Sequence, residues 1–327
     1  MRRLIGRLAV LLAAAALGAG ATAGTAAAQP STPEPTTVGP GAGLVFNNVD
    51  GRFKCTLGAV GTDSEGRHVG ITAGHCRVEY PVYEVVAGEC REKAYTDEEK
   101  SWFTPQFLGP AEGVHVVTDT HPVWDWRDIR TRDDRLLPGA ADADPIGWIR
   151  WVNPGSNADP CHPTTTTDYM VIEFAPHIRL TSHVTDWKYD PVQSTNGRTP
   201  FKVNTIHRDS SGVPAPPRVL RDYVEIFGAQ SDRTPGTWTE DTFAKAPDHG
   251  IVTENKDGMF RSWASFRPGD SGGPVVMRGT GEWVGINTRL LPGGFLQPRW
   301  ITTSARNILA DLNPRNITGS GFTPVDD

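Results

Sequence analysis

The sequence predicts an all-β protein of one large or two modest domains, and three observations carry that prediction. The chain has 327 residues, more than one small core usually needs. Its 35 Gly and 27 Pro punctuate plentiful aromatic and β-branched residues, a mixture that suits short strands and many turns better than helix bundles. Its apolar runs are strand-length, as in Val69 to Thr72, Tyr169 to Phe174, Tyr223 to Gly228 and Trp283 to Thr288. One helix is expected, over Thr303 to Leu312, with Ser304 as cap and Ile308, Leu309 and Leu312 as its apolar face.

The N-terminus reads as an export signal. Arg2, Arg3 and Arg7 make a basic start, Leu8 to Leu17 an apolar core, and Ala26-Ala27-Ala28 a small-residue cleavage site. The apolar core is too short to span a bilayer. Removing residues 1–28 would take the formal charge from −6 to −9. A mildly acidic mature chain argues against nucleic acid or an anionic membrane as its main partner. The expectation is a secreted, extracellular monomer. Gln29 to Gly43 follows, rich in Pro, Thr and Gly, as a flexible leader or short pro-segment.

All four cysteines, Cys55, Cys76, Cys90 and Cys161, lie beyond the signal. An even number in an oxidising compartment points to two disulfides, for which three pairings are open. Cys-x-x-Cys and His-Glu-x-x-His spacings are absent, so no metal is expected.

The chemistry centres on Phe266-Arg267-Pro268-Gly269-Asp270-Ser271-Gly272-Gly273-Pro274. A Ser between glycines, followed by Val275 and Val276, reads as a nucleophile on a tight turn leading into a buried strand. Gly269 lacks a Cβ, so its N–H can approach a bound carbonyl oxygen. With the N–H of Ser271 it would make a two-donor oxyanion pocket. The alternative is a Gly-rich turn with an inert Ser, but Gly-Asp-Ser-Gly-Gly arises by chance in roughly one such chain in a few thousand. The second anchor is Ile71-Thr72-Ala73-Gly74-His75-Cys76. A His at a strand end beside a half-cystine is stapled in place, as a general base needs if its ring is to stay aimed.

Thr-Ala-Gly-His-Cys, followed far downstream by Gly-Asp-Ser-Gly-Gly-Pro, resembles the chymotrypsin-like serine proteases, particularly their secreted bacterial members. The resemblance is specific around His75 and Ser271 and diffuse elsewhere. It implies two antiparallel six-stranded β-barrels with the site between them, the chain order His, Asp, Ser, and the disulfides Cys55–Cys76 and Cys90–Cys161. It also implies peptide-bond hydrolysis on a protein or peptide substrate without a cofactor. A catalytically silent binding module on the same fold, or an esterase using the same triad, are the alternatives.

The family's acid precedes an apolar strand, which selects Asp168 in Thr167-Asp168-Tyr169-Met170-Val171-Ile172-Glu173-Phe174. Asp119 is the runner-up, because the gap from His75 to Asp168 is longer than usual. Within that gap, Glu89 to Gly147 carries Trp102, Phe103, Phe107, Trp124 and Trp126 and reads as enlarged loops on the first barrel. The implied division is 44–187 for the first barrel, 188–218 for a linker, 219–312 for the second barrel with its helix, and 313–327 for a loose tail.

Ser265, Phe266, Thr288, Arg289 and Leu290 are expected to line the substrate pocket. Ser265 stands six residues before Ser271, where an acid would select basic side chains, so a trypsin-like preference is not implied. Arg267 replaces the half-cystine that many members carry four residues before the nucleophile. No Ile-Val-Gly-Gly-type N-terminus is visible to satisfy Asp270, and Arg233 is the expected substitute.

Overall fold

A computed structural model describes residues 36–46, 54–76, 83–86, 89–92, 113–129, 137–155, 167–184, 202–229, 248–264, 269–290 and 300–327. The first eleven strands are β1 (Thr37–Val38), β2 (Gly43–Phe46), β3 (Lys54–Thr56), β4 (Ala59–Thr62), β5 (His68–Thr72), β6 (Tyr83–Val86), β7 (Glu89–Glu92), β8 (Pro122–Asp125), β9 (Gly147–Pro154), β10 (Asp168–Phe174) and β11 (Arg179–Leu180). The remainder are β12 (Tyr223–Ile226), β13 (Asp248–Lys256), β14 (Met259–Ser262), β15 (Pro274–Met277), β16 (Trp283–Leu290), β17 (Trp300–Ser304) and β18 (Thr323–Pro324). A short helix, α1 (Trp126–Ile129), follows β8, and a longer one, α2 (Ala305–Leu312), follows β17.

The class is the expected one, all-β with a C-terminal helix. The later strands close into a six-stranded antiparallel barrel, ordered β12-β13-β14-β17-β16-β15. The earlier strands, expected as the first barrel, do not show a closed one. Among the described residues they form an open eight-stranded antiparallel sheet, ordered β18-β4-β5-β10-β9-β8-β2-β3. Two of its members come from unexpected places. β8 arises inside the insertion 89–147, and β18 from the segment read as a loose tail.

That tail is built into the fold. Thr323 and Pro324 pair with Thr62 and Gly61, and the Val325 N–H donates to the Val60 carbonyl. Phe322 is buried and meets the Trp283 ring edge-on at 5.7 Å. The buried Asp63 carboxylate binds the tail's turn, accepting from Gly319 N–H at 3.1 Å as well as from Arg67 and Glu65. Burial pushes this carboxyl up, but the bonds from Gly319, Arg67 and Glu65 outweigh it and hold its pKa below the ordinary value.

The end of the leader is also structured. β1 pairs in parallel with β11, Val38 and Ala42 are buried, and Arg127 Nη2 donates to the Thr37 carbonyl at 3.0 Å. Of the insertion's aromatics, Trp126 is buried with Val45, Ile129 and Ala140, and Trp124 Nε1 donates to the Ala143 carbonyl. Trp102, Phe103 and Phe107 lie outside the described residues, as do 1–35.

One apolar core joins the sheet to the barrel's outer face. Leu44, Leu57, Ile71, Met170 and Ile172 from the sheet share it with Val276, Trp283 and Ile286 of the barrel and Ile308 and Leu312 of α2. Full burial of each such side chain is worth about 1.5–3 kcal/mol. Ser304 caps α2 by accepting from the Asn307 N–H, as expected. A separate cluster, including Val224, Val252, Phe260 and Val284, fills the barrel interior. β10 is central in its sheet and buried along almost its whole length, with only Glu173 partly exposed. Its apolar run is therefore covered on both faces rather than on one. Among the described residues, no helix is long and apolar enough to cross a membrane.

Candidate active site

The register of β10 against β5 positions the first pair of residues. Met170 stands opposite Thr72, so two residues back along β10 Asp168 faces the chain just beyond the end of β5. There the chain makes a 3-10 turn, Gly74–Cys76. Gly74 is required for this close passage: a Cβ on it would lie 2.2 Å from the Asn153 carbonyl oxygen and 2.7 Å from that of Tyr169. The turn presents both the backbone and the ring of His75 to one carboxylate. Asp168 Oδ2 is 2.7 Å from His75 Nδ1, and Oδ1 accepts from the His75 N–H at 3.0 Å.

Asp168 is fully buried, whereas the His75 side chain retains 24 % exposure. A buried carboxylate on Nδ1 holds the ring in the tautomer with its proton on Nδ1 and Nε2 as an acceptor, and stabilises an imidazolium when one forms. Asp119 is placed elsewhere, on Arg150 Nη2 at 2.8 Å, with more than half of its side chain exposed.

The staple beside His75 is present. Cys55 and Cys76 form a disulfide that ties β3 to the His75 turn. Cys90 lies on β7, but its side chain and Cys161 fall outside the described residues, so the second expected pairing does too.

A hydrogen-bonded network backs the start of β10. The Tyr169 hydroxyl donates to Asp311 Oδ2 at 2.7 Å, Asn153 Nδ2 donates to the same oxygen, and Arg315 holds both carboxylate oxygens. The Arg315 guanidinium lies 4.5 Å over the Trp151 ring. Burial and the Asp311 carboxylate push the Tyr169 hydroxyl pKa up, so it stays a donor. Burial raises the Asp311 carboxyl, but bonds from Arg315 and Tyr169 outweigh it and hold it below the ordinary value. Asp311 and Arg315 stand four apart on and just beyond α2, a spacing visible in sequence but blind to its partner across the fold.

Ser271 sits on a turn between the expected pocket wall and β15, half-buried. Gly269 and Gly272 both have positive φ, +97° and +85°, where an L side chain is strained. The turn is closed by Gly273 N–H on the Asp270 carbonyl. It is clamped to β16 by two backbone bonds, Gly272 N–H to Asn287 O and Asn287 N–H to Gly273 O. Asp270 is fully buried and packs directly on Gly228, where a Cβ would come within 2.1 Å of its carboxyl carbon. Arg233, its expected partner, lies outside the described residues.

The Ser turn docks beside His75. The Ser271 carbonyl accepts from the Thr56 N–H at 2.8 Å. The same oxygen lies 4.0 Å from Cys76 Sγ, a contact only, since a disulfide sulfur has no proton to give. A Cβ on Gly272 would strike Thr72 Oγ1 at 2.0 Å and Ala73 N at 2.7 Å, so the turn lies against the strand end that leads into His75. Thr56, which sequence reasoning passed over, anchors this docking; its only local signal is its place after Cys55.

Of the expected pocket residues, Thr288 is buried in β16, its Oγ1 donating to the Ile301 carbonyl and accepting from Thr303 Oγ1. Arg289 and Leu290 lie on the same strand, without described side chains, and Ser265 and Phe266 are outside the described residues. Among the described residues, no group of three or more His, Cys, Asp or Glu is arranged to hold a metal.

No protein-family model matches the sequence, and no curated protein matches it. Solved structures do resemble the fold. Thermobifida fusca protease A is 13 % identical, with 89 % of this chain and 100 % of that one covered and a TM-score of 0.43. A Cellulomonas bogoriensis chymotrypsin is 14 % identical over 89 % and 100 %, with a TM-score of 0.44. A Nocardiopsis protease is 12 % identical over 84 % and 96 %, with a TM-score of 0.41. The chain is thus similar to bacterial chymotrypsin-like serine proteases at low sequence identity, and its chemistry has to be read from its own side chains.

Proposed function

We propose that this protein is an exported serine endopeptidase that hydrolyses peptide bonds through an acyl-enzyme. The observation that carries the reading is the buried Asp168 carboxylate on His75 Nδ1, with the Ser271 turn docked on the residues flanking that His. Ser271 Oγ is a weak nucleophile until His75 Nε2 removes its proton during attack on an amide carbonyl carbon. The tetrahedral oxyanion is received by the Gly269 and Ser271 N–H groups, each worth roughly 3–4 kcal/mol in comparable sites. His75 returns the proton to the departing amine as the C–N bond breaks. Water then attacks the acyl carbon, giving its proton to His75 and from there to Ser271 Oγ, which restores the site. No step calls on a metal or organic group.

Export is supported by the basic-apolar-small pattern of Met1 to Ala28 and by the Cys55–Cys76 disulfide, which persists in an oxidising compartment. The substrate is a protein or peptide met outside the cell, taken up by a monomer that needs neither nucleic acid nor a membrane.

The test is covalent labelling. A fluorophosphonate probe should add one phosphonyl group at Ser271, and hydrolysis of labelled casein should cease in step with labelling. Ser271→Ala should abolish both. Correctly folded wild-type protein that takes up no label would overturn the reading.

A further inference from the structure

The geometry points to the Thr56 hydroxyl as a positioning group that sets the oxyanion donors, a role that rests on the hydrolase reading above. Thr56 is fully buried at the end of β3 and reaches the nucleophile turn twice. Its N–H donates to the Ser271 carbonyl at 2.8 Å, and its Oγ1 donates to the Gly269 carbonyl at 2.9 Å. The residues whose carbonyls it holds are the two whose N–H groups are assigned to the oxyanion.

The hydroxyl is itself oriented. Oγ1 accepts from the Ala229 N–H at 2.9 Å, which leaves its single proton for Gly269. The Thr56 carbonyl in turn accepts from Thr72 Oγ1 at 2.7 Å, three residues before His75. One buried side chain therefore joins the sheet that carries His75 to the barrel that carries Ser271.

Gly269 is where such a restraint matters. At φ +97° it uses the freedom of a residue without Cβ, and glycine visits either sign of φ readily. The neighbouring peptides would turn with it if nothing held its carbonyl. A donor displaced by about 1 Å from the developing charge costs on the order of a hundredfold in rate.

Thr56→Val keeps the shape and deletes the hydroxyl, and Thr56→Ser keeps the hydroxyl and deletes the methyl. Both are compared with wild type and Ser271→Ala at a temperature where circular dichroism shows each fully folded. The readouts are kcat and KM on labelled casein and the second-order rate of fluorophosphonate labelling. Thr56→Val should lose roughly 10- to 100-fold in kcat and in labelling rate, with KM within about twofold, because the donors act on the transition state. Thr56→Ser should stay within about threefold of wild type. If Thr56→Val does not fold, Thr56→Ala replaces it in the same comparison.

A hydroxyl-free variant as fast as wild type, or a Ser variant as slow as the Val variant, would overturn the assignment while leaving the hydrolase reading intact. Wild-type protein that neither cleaves nor labels would bring down both.

Discussion

The open sheet and the closed barrel each supply part of the candidate site, and they hold their parts by different means. On the sheet, the turn carrying His75 is tethered by the Cys55–Cys76 disulfide, and His75 itself by two bonds to the buried Asp168 carboxylate. On the barrel, the Ser271 turn is fixed by paired backbone bonds to Asn287, by the Thr56 N–H and hydroxyl on the Ser271 and Gly269 carbonyls, and by two glycines at positive φ. The base must change charge during the proposed cycle and keep its aim, which favours a covalent tether and a fixed counter-charge. The turn of the proposed nucleophile must instead present N–H groups to the substrate, which restraints placed on the Gly269 and Ser271 carbonyls allow.

This contrast sets the order of the expected effects. Ser271→Ala removes the barrel's contribution and should cut kcat by about a millionfold, with an unchanged circular dichroism spectrum. Asp168→Asn removes the counter-charge on the sheet side and should cut kcat by about ten-thousandfold near neutral pH. A loss under tenfold would show that His75 is oriented by something other than this carboxylate.

The double variant Cys55→Ala/Cys76→Ala opens a loop with a sequence separation of 21 and should cost about 3 kcal/mol of stability. If the tether also aims His75, kcat of the still-folded protein should fall too, whereas Ser271 labelling at high probe concentration should still reach completion. Phe322→Ala acts on the C-terminal segment that packs against both the sheet and Trp283. It should cost about 3–5 kcal/mol by thermal or urea melting, yet leave kcat of the folded protein near wild type.

The smallest effect concerns pH. Asp63 has its pKa below the ordinary carboxylate value of 3.8, so folding favours its ionised form. Its stabilisation is complete above that value and is lost as pH falls through the folded-state pKa. Asp63→Asn should be less stable than wild type at neutral pH, and the gap should narrow below about pH 4. A constant gap across acid titration would mean that the Gly319 and Arg67 bonds contribute no charge-dependent stability.

Much of the candidate site was legible because the proposed chemistry demands local features. The glycines around Ser271 are needed for the turn, and His75 beside Cys76 is needed for the staple, so both leave short motifs. Asp168 was legible through the strand it opens. Thr56, Asn287 and Asp311 left no such mark, because what each does is defined by a partner 142 to 213 residues away for Asp311 and Thr56, and by a strand register for Asn287.

The fold divides in the same way. Composition and short apolar runs are local quantities, and from them alone came the all-β class, the cap and face of the C-terminal helix, and the strands around each motif. Only the tertiary structure decided that one sheet closes as a barrel while the other, among the described residues, stays open with eight strands. It also turned the polar-looking stretch 313–327 from an expected tail into an edge strand over a buried Phe322. Edge pairing uses backbone groups that every residue carries, and so no side-chain pattern announces it.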